Sequence, residues 1–175
     1  VFRADPVPTE TELADPRERL RARYRPDDLQ ILFVGESAPA GGTFFYQADS
    51  NLFGAVREAA IRAHGPLAEG ASFLDWFRDQ GFWLHDLSAK PVNRSRGRPR
   101  KDAVEAGTVR LARLLRETDP EHVIVVGTSL EPTVRAASRL AGYREPDIRV
   151  LPFPLYQWRE SFVGQLAAFL APEAA

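Results

Sequence analysis

ILFVGESAPAGGTFFY, residues 31–46, is the stretch on which the fold turns. Its beginning belongs to an apolar run, residues 29–34 (LQILFV), of the kind a strand presents when both its faces are covered. Its continuation changes character at once. Gly35 permits a sharp turn at the strand's end, and Glu36-Ser37-Ala38-Pro39 and Gly41-Gly42 follow as loop. A buried strand that runs into a glycine- and proline-rich loop is the usual start of a helix-covered parallel sheet with a ligand at its strand ends.

Three more strands are expected around it, at residues 81–87 (GFWLHDL), 122–126 (HVIVV) and 148–151 (IRVL). Helices separate them. Ser50 can cap one that carries Leu52, Phe53, Val56 and Ala60. Ser72 can cap another with Phe73, Trp76 and Phe77, stopped by Gly81. Asp102 precedes a third, with Val104, Thr108, Leu111 and Leu115 on one stripe. Residues 129–140 and 158–170 supply two more. Strand alternating with helix predicts right-handed βαβ units. The fold class is α/β, a three-layer αβα sandwich with a four-stranded, mainly parallel sheet. Residues 1–28 are polar and contain four prolines, so they read as a peripheral arm or an N-terminal cap, with a short helix at 17–24.

The bulk numbers agree with a single domain. The chain has 175 residues, of which 44% are hydrophobic, enough for one core. No apolar run approaches the roughly 18 residues of a membrane span, and the first residues lack the basic-then-apolar pattern of a secretory signal. The absence of cysteine excludes disulfides and thiolate metal sites. The three histidines, His64, His85 and His122, lie too far apart in sequence to suggest zinc. A cytoplasmic monomer without a cofactor is therefore expected. The net charge is only −1, but residues 90–101 (KPVNRSRGRPRK) hold six positive charges and no acid. Such a run can hold nucleic-acid phosphates. It is as often a solvated loop.

Ligands of such sheets sit at the carboxyl ends of the strands. That rule selects residues 35–49, 87–101, 127–129 and 152–157. In the first loop Glu36 stands at the mouth of a cleft, before backbone amides that can hold an anion; an ordinary turn with a solvated glutamate reads the same way. The loop is neither a P-loop nor a nucleophile elbow, because Gly-Lys-Ser/Thr and Gly-x-Ser-x-Gly are both missing. Of Phe44, Phe45 and Tyr46, one is expected to stack on a flat ligand and two to plug the core. Asp86 ends the second strand, where it projects into the cleft or caps a turn. Two prolines stiffen Leu151-Pro152-Phe153-Pro154-Leu155-Tyr156, whose apolar tip suits a wedge beside a basic cleft.

Taken in order, these segments resemble the uracil-DNA glycosylase superfamily over roughly residues 29–170. Val34-Gly35-Glu36-Ser37-Ala38-Pro39 looks like that family's first motif in its glycine–glutamate–x–proline form. Phe44-Phe45-Tyr46 sits where the family stacks the base, Asp86 where it has a uracil-reading asparagine, and Gly127-Thr128-Ser129 at the turn after the third strand. Leu151-Pro152-Phe153-Pro154-Leu155 is similar to its histidine–proline–serine–proline–leucine loop. The resemblance implies an enzyme that hydrolyses the N-glycosidic bond of uracil or another deaminated base in single- or double-stranded DNA, without a metal. Glu36 would orient or activate water, or stabilise the oxocarbenium-like state, with Asp86 reading the base edge or sharing the work on water. Gly35, Ser37, Phe44, Phe45, Tyr46, Asn93 and Leu151 would contact the substrate. Arg94, Arg96, Arg98 and Arg100 would hold phosphates, and Leu155 or Tyr156 would wedge into the duplex.

Two departures shape the expectation. A carboxylate at 86 only accepts hydrogen bonds, whereas an amide also donates. Leucine at 151 cannot stabilise charge building on the departing base; the loss of such a donor costs about 10²–10³ in rate. A catalytically silent member that binds nucleic acid or a nucleotide is the alternative. A small-molecule hydrolase using Ser37, His85 and Asp86 is a third reading, disfavoured because adjacent strand residues point to opposite faces.

Overall fold

The computed structural model describes residues 15–88, 98–142 and 147–172, with the side chains of 98–101, 103 and 104 left aside. In chain order the helices are α1 (Pro16–Arg23), α2 (Asn51–His64), α3 (Phe73–Asp79), α4 (Arg98–Thr118), α5 (Glu131–Ala141) and α6 (Arg159–Leu170). The strands are β1 (Ile31–Ser37), β2 (Phe82–Ser88), β3 (His122–Val126) and β4 (Asp147–Leu151). They form one parallel sheet in the order β2-β1-β3-β4. Helices α2 and α6 pack together on one face, and α4 and α5 on the other, with α4 lying on β2. This is the three-layer sandwich that the strand–helix alternation predicts.

The central strands are apolar on both faces because both faces are covered. Leu32, Phe33 and Val34 of β1 and Val123, Ile124 and Val125 of β3 are completely buried. Ser50 and Ser72 cap α2 and α3 as expected, their hydroxyls accepting from the amides of Phe53 and Asp75. Helix α4 begins at Arg98, so Asp102, expected to precede the helix, lies inside it. Pro99 does not prevent this, since a proline in a helix's first turn forfeits no intrahelical hydrogen bond. Among the described residues no helix is long and apolar enough to cross a membrane.

One boundary differs from expectation in a way that matters for the site. Strand β1 does not turn at Gly35; it continues through Glu36 to Ser37. Gly35 pairs with Asp86 across the sheet. A Cβ at position 35 would stand 2.6 Å from Asp86 Oδ1, so the glycine provides room for a neighbouring carboxylate and not for a bend. The N-terminal helix packs on the sheet, as a cap would. The Trp83 indole donates to the Arg21 carbonyl at 3.2 Å, and Tyr24 stacks on Tyr46 with ring centroids 5.7 Å apart. Helix α1 thus lies along the free edge of β2.

Tyr46 closes that edge. Its hydroxyl accepts from the Leu84 amide at 2.7 Å and donates to the Leu84 carbonyl at 3.0 Å, satisfying two backbone groups that no further strand reaches. Burial pushes the phenol up, so it stays protonated and able to do both. Replacing Tyr46 with phenylalanine will leave both groups buried and unpaired, at a cost of about 1–3 kcal/mol. Urea denaturation will show this as a lower midpoint with an unchanged slope.

Candidate functional site

Strand order places a crevice where the winding reverses. The chain leaves β1 towards β2 but leaves β3 towards β4, so the loops after β1 and β3 diverge. A cleft of about 460 Å³ opens there. One wall is Gly35 to Pro39; the opposite wall is Val126, Gly127, Ser129 and Leu130. Leu84 and Asp86 come from β2, and Phe44 and Phe45 from the loop behind. Ser50, Asn51 and Leu52 bring the start of α2, and Phe153 and Leu155 complete the rim from the β4 loop. The volume is in the range of small-molecule sites.

Both proposed carboxylates line this cleft. Glu36 is half-buried on β1, whereas Asp86 is only 6% exposed. Asp86 is held by a residue the sequence did not single out: Arg21 of α1 donates from Nη2 to Asp86 Oδ2 at 2.5 Å. The same guanidinium reaches Glu18 Oε1 through Nη1 at 2.5 Å. It also lies 5.3 Å from the centroid of the Phe44 ring. Burial pushes the Asp86 carboxyl up, Arg21 pulls it back, and Glu18 adds to the upward push. For Arg21, burial works against the charge, and Asp86 and Glu18 more than offset it. A guanidinium keeps its proton and its donor geometry, so the contact favours the carboxylate form of Asp86.

The aromatic triplet divides differently from the expected one-and-two. Phe44 and Phe45 both form the inner wall of the cleft, while Tyr46 does not line it and serves the β2 edge instead. All three are buried. The Phe44 amide is fixed by Asp49 Oδ1 at 2.7 Å, and Phe45 packs on Phe77 and Phe53. Both rings are therefore held rigidly behind the cleft.

Leu151 does not belong to the cleft. It lines a second cavity with Ile31, His122, Ile124 and Phe169. The loop beyond it reaches the cleft through Phe153 and Leu155. Tyr156 is 89% exposed, has a backbone φ of 45° and lies off the rim. Ser37 is on the cleft wall, but His85 is absent from it. Burial pushes the His85 imidazole down to about 3, with Arg21, Arg110 and Arg25 adding to the effect. Ser37, His85 and Asp86 therefore form no relay. Asn93, Arg94 and Arg96 lie outside the described residues, as do the side chains of Arg98 and Arg100. Among the described residues no cluster of three histidine, aspartate or glutamate side chains can hold a metal.

Chemically, the cleft combines two carboxylates, apolar walls, the hydroxyl side chains of Ser37 and Ser129, and the amide end of a helix. It can accept hydrogen bonds from a flat polar edge and place a water beside Glu36. No protein-family model matches this chain, and no curated protein matches it.

Proposed function

We propose that the chain is a DNA glycosylase-like protein that takes uracil or another deaminated base into the cleft and hydrolyses its N-glycosidic bond. One observation carries this reading: Glu36 and Asp86 meet in a single cleft of suitable size, walled by Phe44 and Phe45, at the strand ends. Glu36, half-buried on the cleft wall, would be the residue that acts on water. Asp86 is committed through one oxygen to Arg21, which suits it to binding more than to proton transfer. The apolar rim at Phe153 and Leu155 would meet the DNA, with residues 94–100 as the phosphate-binding partner.

A second reading, base binding without cleavage, is favoured by the turn of Leu151 away from the cleft. The β4 loop brings only Phe153 and Leu155 to the rim, and neither side chain can donate a hydrogen bond to a departing base. One experiment separates the two. Oligonucleotides with a single uracil, hypoxanthine or xanthine are incubated at high protein and low salt, and the abasic product is resolved on a gel. The glycosylase reading expects product, and a loss of about 10²–10⁴ in rate for Glu36→Gln with binding retained. Tight binding without product would leave the silent reading in place; absence of both would sink the two together.

A further inference from the structure

We infer that Arg21 is a positioning residue for the cleft: it occupies one oxygen of Asp86 so that the other, Oδ1, faces the ligand as a fixed acceptor for a ring N–H. This rests on the base-binding reading and goes beyond it by naming the edge the cleft selects.

Three observations converge on it. Arg21 and Asp86 are both buried, and their contact uses Oδ2 alone. Oδ1 lies against Gly35, whose missing side chain leaves that oxygen access to the cleft wall. Among the described residues Oδ1 accepts no hydrogen bond, although the side chain is shut off from most water. A carboxylate oxygen that opens onto a cleft without a protein donor is an acceptor available to a ligand.

The guanidinium is itself fixed. Glu18 takes its second nitrogen, Phe44 lies beneath it, and the Arg21 carbonyl accepts from Trp83. The direction of Oδ1 is therefore set by α1, far from the cleft in sequence. A single ionised acceptor discriminates sharply between an edge with an N–H and one without. Uracil, hypoxanthine and xanthine each carry a ring N–H between or beside carbonyls, whereas their N-methylated counterparts at that nitrogen do not.

The test uses matched oligonucleotides: uracil against 3-methyluracil, and hypoxanthine against 1-methylhypoxanthine, with an undamaged strand as reference. Binding is read by fluorescence anisotropy with wild-type protein, Arg21→Met and Arg21→Lys, and folding of each is checked by circular dichroism. Wild type is expected to prefer the N–H member of a pair by about ten- to hundredfold, the worth of a charge-assisted hydrogen bond. Arg21→Met should bring that ratio down to the steric effect of the methyl group. Arg21→Lys should fall between them, since an ammonium keeps charge but not the fork.

A ratio unchanged in folded Arg21→Met and Arg21→Lys, with both affinities lowered equally, would mean Arg21 is structural only and would overturn the inference. Should Arg21→Met not fold, the lysine variant and the wild-type ratio decide the matter. No preference in wild type, or a preference for the methylated ring, would show that Oδ1 is not a fixed acceptor; base binding itself would survive. Equal affinity for every modified strand and the undamaged one would instead sink the base-binding reading.

Discussion

Replacing Arg21 with alanine will destabilise the protein by about 3–5 kcal/mol at neutral pH, the cost of leaving one member of a buried ion pair alone. Asp86 is the group left stranded, since its described hydrogen bond comes from Arg21. The deficit will depend on pH with a definite sign. Burial already pushes the Asp86 carboxyl up, and Arg21 is what pulls it back. Without Arg21, the folded-state pKa stands further above the unfolded value of about 3.9. The folded protein then binds more protons than the unfolded one in that window, so stability falls as pH rises through it. Acidification from neutral pH will thus restore part of the variant's loss relative to wild type. His85 works in the same direction, because Arg21 is one of the charges holding its imidazole down. Denaturant melts of both proteins from pH 7 to pH 4 measure the difference; a constant gap would mean that Asp86 is not the stranded group.

Gly107→Ala is the second large effect. Gly107 lies inside α4, where glycine ordinarily costs about 1 kcal/mol relative to alanine. Helix propensity alone would therefore make this substitution stabilising. Packing reverses the sign. A Cβ at 107 would lie 2.2 Å from the Leu87 carbonyl oxygen and 2.8 Å from its carbon, both backbone atoms of β2. Neither partner is a side chain that can swing aside. The same carbonyl accepts from Arg110 at 2.8 Å, and that bond must stretch if the helix lifts. Overpacking costs about 1–3 kcal/mol and occasionally more. A backbone-on-backbone collision belongs at the top of that range, so a net loss of about 2 kcal/mol is expected after the gain in propensity. At roughly 2–4 °C per kcal/mol for a chain of this length, the melting temperature will fall by about 4–8 °C. A rise in Tm would show that α4 and β2 can part without loss.

The layers of the fold were legible because the pattern of apolar residues encodes them directly. Residues 31–34 and 123–126 are apolar on both faces because helices cover both faces. Serine caps carry their own local signal, and Ser50 and Ser72 perform as capping residues. The end of β1 was misjudged for a different reason. Glycine usually reports a bend, and only the pairing of Gly35 with Asp86 shows that it reports crowding. That pairing is a register between strands some fifty residues apart, which local sequence does not contain.

Within the site, Glu36, Ser37, Phe44, Phe45 and Asp86 were found by one rule, the position of loops at strand carboxyl ends. Arg21 escaped it. The helix PRERLRAR holds four arginines, and nothing in their spacing says which one is buried. Leu20 and Tyr24, four apart, give the only hint of an inward face. Leu151 is the last residue of β4, and its side chain goes to the second cavity with Ile31 and Ile124; which cavity a strand's last side chain joins depends on neighbouring strands and helices that the local sequence does not name. The residues that reach the cleft from this loop are Phe153 and Leu155.

The close approach at Gly35 has a consequence for how such a site can change over generations. Positions 35 and 86 occupy one volume, so neither can be altered freely while the other stays as it is. A side chain at 35 becomes tolerable only once 86 has shrunk, and shrinking 86 first strands Arg21. Every single-step route away from the present trio passes through a weakened intermediate. Such a trio is locked by history as well as by chemistry, and its members can be exchanged only together.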